Sequence, residues 1–134
     1  MFKLITFFII LFSSASLFTQ TTIIDSGAGN FDMPMDCNYR YSYEEHIYLQ
    51  SQISSTGNIT EVYFYYDGYE AFTEPIKLFI GHTSKTDFSG SSDWVTSSGM
   101  TEVFSGNYSV TTTAGWFGIT LDTPFSYNNT DNLV

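Results

Sequence analysis

The stretch TEVYFYYDG, residues 60–68, decides how this chain folds. Val62, Phe64 and Tyr66 alternate with Glu61, Tyr63 and Tyr65, so a period of two places one apolar set on one face and two tyrosines with a carboxylate on the other. A helix would scatter both sets around its circumference. Asp67 and Gly68 then supply a turn signal, and the segment reads as a strand with one buried face.

The same period recurs on both sides. After Pro75, IKLFIGHT (76–83) puts Ile76, Leu78, Ile80 and His82 on one face and Lys77, Phe79 and Gly81 on the other, which reads as an internal strand. Upstream, YRYSYEEHIYLQ (39–50) begins with Tyr39, Tyr41 and Tyr43 alternating and continues through Ile47 and Leu49, a strand with an irregularity at Glu44 and Glu45. Downstream, MTEVFSG, NYSVTTT and WFGITLDTPF are separated by Gly106 with Asn107 and by Ala114 with Gly115. Spacings that short imply antiparallel neighbours. Strands without intervening helices define an all-β fold, an antiparallel β-sandwich of jelly-roll type. YNNTDNLV (127–134) stops on two apolar residues just past a turn, so the sandwich is expected to be truncated at its C-terminal strand.

The chain opens MFKLITFFIILFSSASLFTQ, with Lys3, an apolar run from Leu4 to Phe12 broken only by Thr6, and then small polar residues. These are the three regions of a secretory signal peptide, placed at residues 1–19. A membrane span needs roughly 20 apolar residues, so this run is too short to remain as an anchor. Residues 20–33 form a linker or first strand, and 34–134 form one module. Among 134 residues, 14 are acidic and 4 basic, giving a net charge of −10. Nucleic acid and anionic membranes are repelled by that charge. The single cysteine, Cys37, cannot form an internal disulfide and lies too far from the apolar run to carry a lipoprotein anchor.

GHTSKTDFSGSSDWV (81–95) gathers His82, Ser84, Lys85, Asp87 and Asp93, the parts of a hydrolase site. A serine nucleophile needs a base in reach, an orienting acid and an oxyanion hole. No strained Gly-Ser-Gly elbow accompanies Ser84. The stretch reads as a strand end followed by a hydroxyl-rich loop, and no catalytic residue is assigned. Phe88 and Trp94 either fold back to plug the end of the sandwich or, for Trp94, stack on a ligand. Trp116 reads as a packing residue.

The tyrosines suggest a carbohydrate surface. Tyr63 and Tyr65 share a strand face, with Tyr39, Tyr41 and Tyr43 candidates for the same arrangement, and exposed rings stack on sugars while carboxylates hold hydroxyls. The competing reading is cross-strand aromatic pairing. The site candidates are therefore Tyr63, Tyr65 and Trp94. Asp25, Asp32, Asp36, Asp67 and Asp131 are oxygen donors of the kind a structural calcium uses, without EF-hand spacing. His46 and His82 stand far apart with no cysteine set, so zinc has no ligand pattern. No cofactor is assigned.

YSYEEHIYLQSQI, GNITEVYFYYDG, IKLFIGHTSKTDFSGSSDWV, MTEVFSG and AGWFGITLDTPFSYNNTDNLV together resemble a β-sandwich module of large secreted proteins of Bacteroidetes-type bacteria, over residues 34–134. That family's modules sit ahead of fibronectin type III-like, adhesin-like or peptidase domains in proteins exported through a C-terminal sorting signal. The resemblance implies a secreted or cell-surface, non-catalytic module for adhesion, ligand binding or spacing of other domains of the same polypeptide. Its partners would be a glycan or a host or matrix surface. The alternative is an accessory fragment of a secreted peptidase or glycoside hydrolase whose catalytic domain lies beyond Val134. MDCNYR departs from the family pattern, which leaves Cys37 without a family role.

Overall fold

The computed structural model describes residues 20–22, 24 and 41–134. The expected signal peptide, Cys37, Tyr39 and the aspartates Asp25, Asp32 and Asp36 lie outside the described residues. The chain is all-β and antiparallel, with one short helix among the described residues: α1 (Gln50–Ile53), β1 (Gly57–Tyr66), β2 (Phe72–Ile80), β3 (His82–Thr83), a 3-10 turn (Ser97–Gly99), β4 (Thr101–Val110), β5 (Gly115–Tyr127) and β6 (Asn132–Leu133). The strands form ladders β1–β5, β2–β4 and β3–β6.

The fold-deciding stretch is the second half of β1. Val62, Phe64 and Tyr66 stand opposite Ile119, Phe117 and Gly115, while Glu61, Tyr63 and Tyr65 stand opposite Thr120, Gly118 and Trp116. Alternation thus sorts both strands into one inner and one outer set. The ladder is interrupted where Thr60 alone faces Leu121–Pro124. That excursion turns Leu121 into the core and carries Asp122 outward, where its Oδ2 accepts the Ser105 N–H of β4 at 3.1 Å. A second bulge in β4 inserts Val103 opposite the Leu78/Phe79 step of β2, and this extra residue is the most deeply buried side chain, at 0 % exposure.

Both long ladders contribute to one apolar cluster. Tyr66, Ile80, Val103, Tyr108, Val110, Ile119, Leu121, Phe125, Tyr127 and Leu133 are its buried members. Burial of side chains this size is worth about 1.5–3 kcal/mol each. The tyrosines there also satisfy turns. Tyr66 donates to the Glu70 carbonyl at 2.6 Å and accepts the Glu70 N–H at 2.7 Å, and Tyr127 donates to the Asp131 carbonyl at 2.8 Å. The turn entered through Asp67 needs Gly68: its φ is +82°, and a Cβ there would lie 2.6 Å from the Ala114 nitrogen.

Three expectations are corrected. Tyr41–Gln50 is not a strand; Tyr48 makes a single bridge to Leu133, and the chain then enters α1. The cause is local. Glu45 turns away to bind the Val95 N–H at 2.8 Å, and the Gln52 side chain accepts the Leu49 N–H at 2.9 Å, which starts a helical turn. MTEVFSG and NYSVTTT are one strand through Val110 rather than two, because Gly106 is not a turn: a Cβ there would sit 3.0 Å from Phe104 Cζ, so the glycine accommodates that ring. Finally, β4 and β5 are consecutive yet belong to different ladders, and β2 pairs with β4 alone among the described strands.

The third ladder ties the ends together. Gly81 and Val134 exchange hydrogen bonds of 2.8 and 3.0 Å, and Tyr48 and Leu133 exchange bonds of 2.8 and 2.9 Å. β6 therefore runs between β3 and Tyr48. This places the segment before α1 beside the loop that follows β3.

Candidate functional site

The outer face of the β1–β5 ladder carries Tyr63, Tyr65 and Trp116. Tyr63 is 51 % exposed and Trp116 48 %. Tyr65 meets Trp116 edge to face, with ring centroids 5.5 Å apart and planes at 74°. Tyr63 lies against Gly118: a Cβ on that glycine would come within 2.5 Å of Tyr63 Cε1. The ring therefore occupies space that any other residue at 118 would fill. Its hydroxyl donates to Glu61 Oε2 at 2.8 Å, and Thr120 Oγ1 donates to the other oxygen, Oε1, at 3.3 Å. The hydrogen bond to Glu61, more than its charge or burial, raises the Tyr63 phenol above its ordinary pKa, which keeps the ring neutral.

Sequence reasoning placed Tyr63 and Tyr65 on one face and read Trp116 as a packing residue; it packs on Tyr65, on the outer face. The ladder puts Trp116 outside because it pairs with Tyr65 in register, and the outer set of β1 fixes the outer set of β5. The signal was present: Trp116 and Gly118 alternate with Phe117 and Ile119, whose apolar side chains take the inner positions. The cross-strand aromatic pairing is present between Tyr65 and Trp116. The aromatics pair across the strands and still leave about half of Tyr63 and of Trp116 open.

The loop after β3 uses its polar side chains on itself. Lys85 Nζ forms an ion pair with Asp93 Oδ1 and donates to the Asp93 carbonyl at 2.7 Å. Asp93 Oδ2 accepts both the N–H and the hydroxyl of Ser89, each at 2.9 Å. The hydrogen bond from Lys85, then those from Ser89, hold the Asp93 carboxyl down at about 2. Lys85 Nζ also lies 5.8 Å from the Phe88 ring centroid, and its carbonyl accepts from Asn132 Nδ2 at 2.7 Å. His82 packs on Phe125 and Tyr127, at centroid distances of 4.9 and 5.8 Å, and its Nε2 accepts the Asn128 N–H at 3.3 Å. Lys85 and Asp93 are thus brought together as a loop clasp, and His82 is directed to the β5 turn.

Trp94 does not plug the core. It is 50 % exposed and meets Tyr43, itself 54 % exposed, edge to face at 5.1 Å and 69°. Glu45 ties the two segments together: one oxygen accepts the Tyr43 hydroxyl at 2.6 Å, the other the Val95 N–H at 2.8 Å. Burial, followed by the Glu45 hydrogen bond and charge, pushes the Tyr43 phenol up to about 12. Nothing in the local sequence couples residues 43–45 to 94–95. Only the β3–β6–Tyr48 arrangement brings them together.

Of the aspartates considered for calcium, Asp131 Oδ2 accepts Asn128 Nδ2 at 2.8 Å, and Asp67 Oδ1 is buried without a hydrogen-bond partner among the described residues. Among the described residues, no group of 3 or more His, Cys, Asp or Glu side chains is arranged to hold a metal. His46 Nε2 lies 3.7 Å from Glu44 Oε2, and burial lowers its pKa. No described helix is long and apolar enough to cross a membrane. No protein-family model, curated protein or solved structure matches the chain.

Proposed function

We propose that the chain is a non-catalytic, secreted or cell-surface β-sandwich module that binds carbohydrate through the outer face of the β1–β5 ladder. The carrying observation is the row of Tyr63, Tyr65 and Trp116, with Tyr63 and Trp116 about half exposed beside the Glu61 carboxylate. Rings fixed on a sheet present an apolar surface at low entropic cost, and Glu61 retains lone pairs that accept hydroxyl protons. A net charge of −10 disfavours anionic partners and leaves neutral glycans unopposed. In this reading the two long ladders are the layers of a jelly-roll sandwich. Adhesion or spacing of neighbouring domains follows from the resemblance to Bacteroidetes-type surface modules.

The test is a glycan array probed with the chain and with Tyr63→Ala and Tyr65→Ala. Truncating a ring at the centre of a contact costs more than about 1 kcal/mol, so retention on the recognised glycan should weaken at least fivefold while the melting transition persists. If no glycan on the array is retained, the carbohydrate reading is abandoned in favour of a spacer.

A further inference from the structure

The Tyr43–Trp94 corner is built in a way the glycan reading does not use. Its parts come from two segments about fifty positions apart, and a single carboxylate, Glu45, fixes both by binding the Tyr43 hydroxyl and the Val95 N–H. Among the described residues Glu45 is in no ion pair, whereas the nearby Asp93 is neutralised by Lys85 and Glu44 faces His46. Two half-exposed ring systems meet there at 69°, one of them held through its hydroxyl by this carboxylate.

The hydrogen-bonding inventory narrows the ligand. Tyr43 spends its proton on Glu45, and a carboxylate has no proton of its own at neutral pH, so these two groups offer only lone pairs and the Trp94 indole N–H is the single side-chain donor of the three residues. The ring faces add the negative side of their quadrupoles. A sugar hydroxyl both donates and accepts, and gains no donor from Tyr43 or Glu45. A group that only donates, is positively charged and is flat enough to lie on a ring matches all three features, and the chain's overall charge of −10 draws it in.

We infer that the corner formed by Tyr43, Trp94 and Glu45 is a docking site for the guanidinium of an arginine side chain on a basic polypeptide partner. The guanidinium stacks on one ring and donates to Glu45, and the second ring closes the side of the site. A lysine ammonium fits less well, because it cannot stack and donate in one plane. The site is independent of the glycan face, since none of its three residues lies on the β1–β5 ladder.

The experiment uses Trp116→Phe, which leaves Trp94 as the sole tryptophan of the 2 in the chain. This protein is titrated with acetyl-Gly-Arg-Gly-Arg-Gly-amide, following Trp94 emission, with calorimetry on the unsubstituted chain as a second readout. The lysine counterpart and the citrulline counterpart, which keeps the shape and loses the charge, serve as comparisons. Saturable binding of the arginine peptide is expected, several-fold weaker with lysine and at least tenfold weaker with citrulline. Glu45→Gln and Tyr43→Leu should each weaken it at least fivefold, with melting curves recorded to show that both remain folded. Glu74→Gln, which removes one exposed charge on β2, and Tyr63→Ala should leave it unchanged. Equal binding by the chain and by Glu45→Gln would mean general attraction to an acidic surface and would overturn the assignment. So would an equal response to citrulline, or no saturable response at all.

Discussion

Substituting Gly118 by alanine separates the proposed binding face from the fold more cleanly than removing any ring. The new Cβ would stand 2.5 Å from Tyr63 Cε1 and 3.0 Å from two further ring atoms, so the ring has to leave its place over β5. Two stability terms oppose each other. Alanine in ordinary strand geometry restricts the unfolded chain, a gain of about 0.4–1 kcal/mol. Losing the cross-strand contact of Tyr63 costs about 0.2–1 kcal/mol. The sum lies within about 0.8 kcal/mol of zero, so the melting temperature should move by no more than about 4 °C. If this face holds the glycan, retention should nevertheless fall about as far as in Tyr63→Ala, because the ring is displaced from its place over Gly118. Affinity electrophoresis on the array-selected glycan, beside thermal melts followed by circular dichroism, measures both. Retention unchanged in Gly118→Ala but lost in Tyr63→Ala would refute the claim that the glycine sets the ring. Destabilisation beyond about 2 kcal/mol would show instead that the site cannot take a side chain at all.

Three further outcomes test the core and the loop. The Tyr108 hydroxyl is buried with no hydrogen-bond partner among the described residues, and burial raises its pKa to about 12. Tyr108→Phe should therefore stabilise the chain by up to about 1 kcal/mol in urea unfolding, and a loss of stability would reveal a bond to that oxygen. Tyr66→Phe should act in the opposite direction by about 1–2 kcal/mol, because the Glu70 N–H and carbonyl both lose the phenol. Asp93 titrates at about 2 in the fold against about 3.9 unfolded, so its contribution is complete above pH 4 and fades as pH falls from 4 towards 2. The protection factor of the Ser89 amide, its exchange relative to an unstructured peptide at the same pH, should fall across that window and be low throughout in Asp93→Ala; a protection factor unchanged across the window in the unsubstituted chain would sink the clasp.

How much of this was legible in the sequence depends on whether a residue's neighbours were local. Period two in residues 60–66 gave β1, its inner set and the shared outer face of Tyr63 and Tyr65, because alternation is a property of one strand. Trp116 was read as a packing residue without a face, because its orientation depends on the partner strand, although the same alternation applied to Trp116, Phe117, Gly118 and Ile119 supplies it. Gly106 was misread. A glycine opposite Ile76 with Phe104 lying over it looks, in sequence, the same as a glycine in a turn. The segment from Tyr41 to Leu49 failed as a strand because its hydrogen-bonding side chains found better uses: Glu45 at Val95 and Gln52 at Leu49. Neither use is periodic.

The loop GHTSKTDFSGSSDWV shows why polar density is weak grounds for assigning chemistry. A long loop at the end of a small all-β chain has main-chain groups and charges to satisfy, and the cheapest partners are its own side chains. Lys85, Asp93 and Ser89 meet that need within the loop, and His82 meets it at the start of the Asn128 turn. The residue left over is Trp94, which the clasp pushes outward against Tyr43 instead of into the core. A carboxylate that has already satisfied its own chain and still faces two open rings is then the feature hardest to explain by folding alone. A glutamine at 45 would keep an acceptor for one of the two donors and carry no charge to desolvate, so it retains part of the folding role while removing the charge. For that reason the Glu45→Gln comparison discriminates between a residue kept for structure and one kept for a cationic partner.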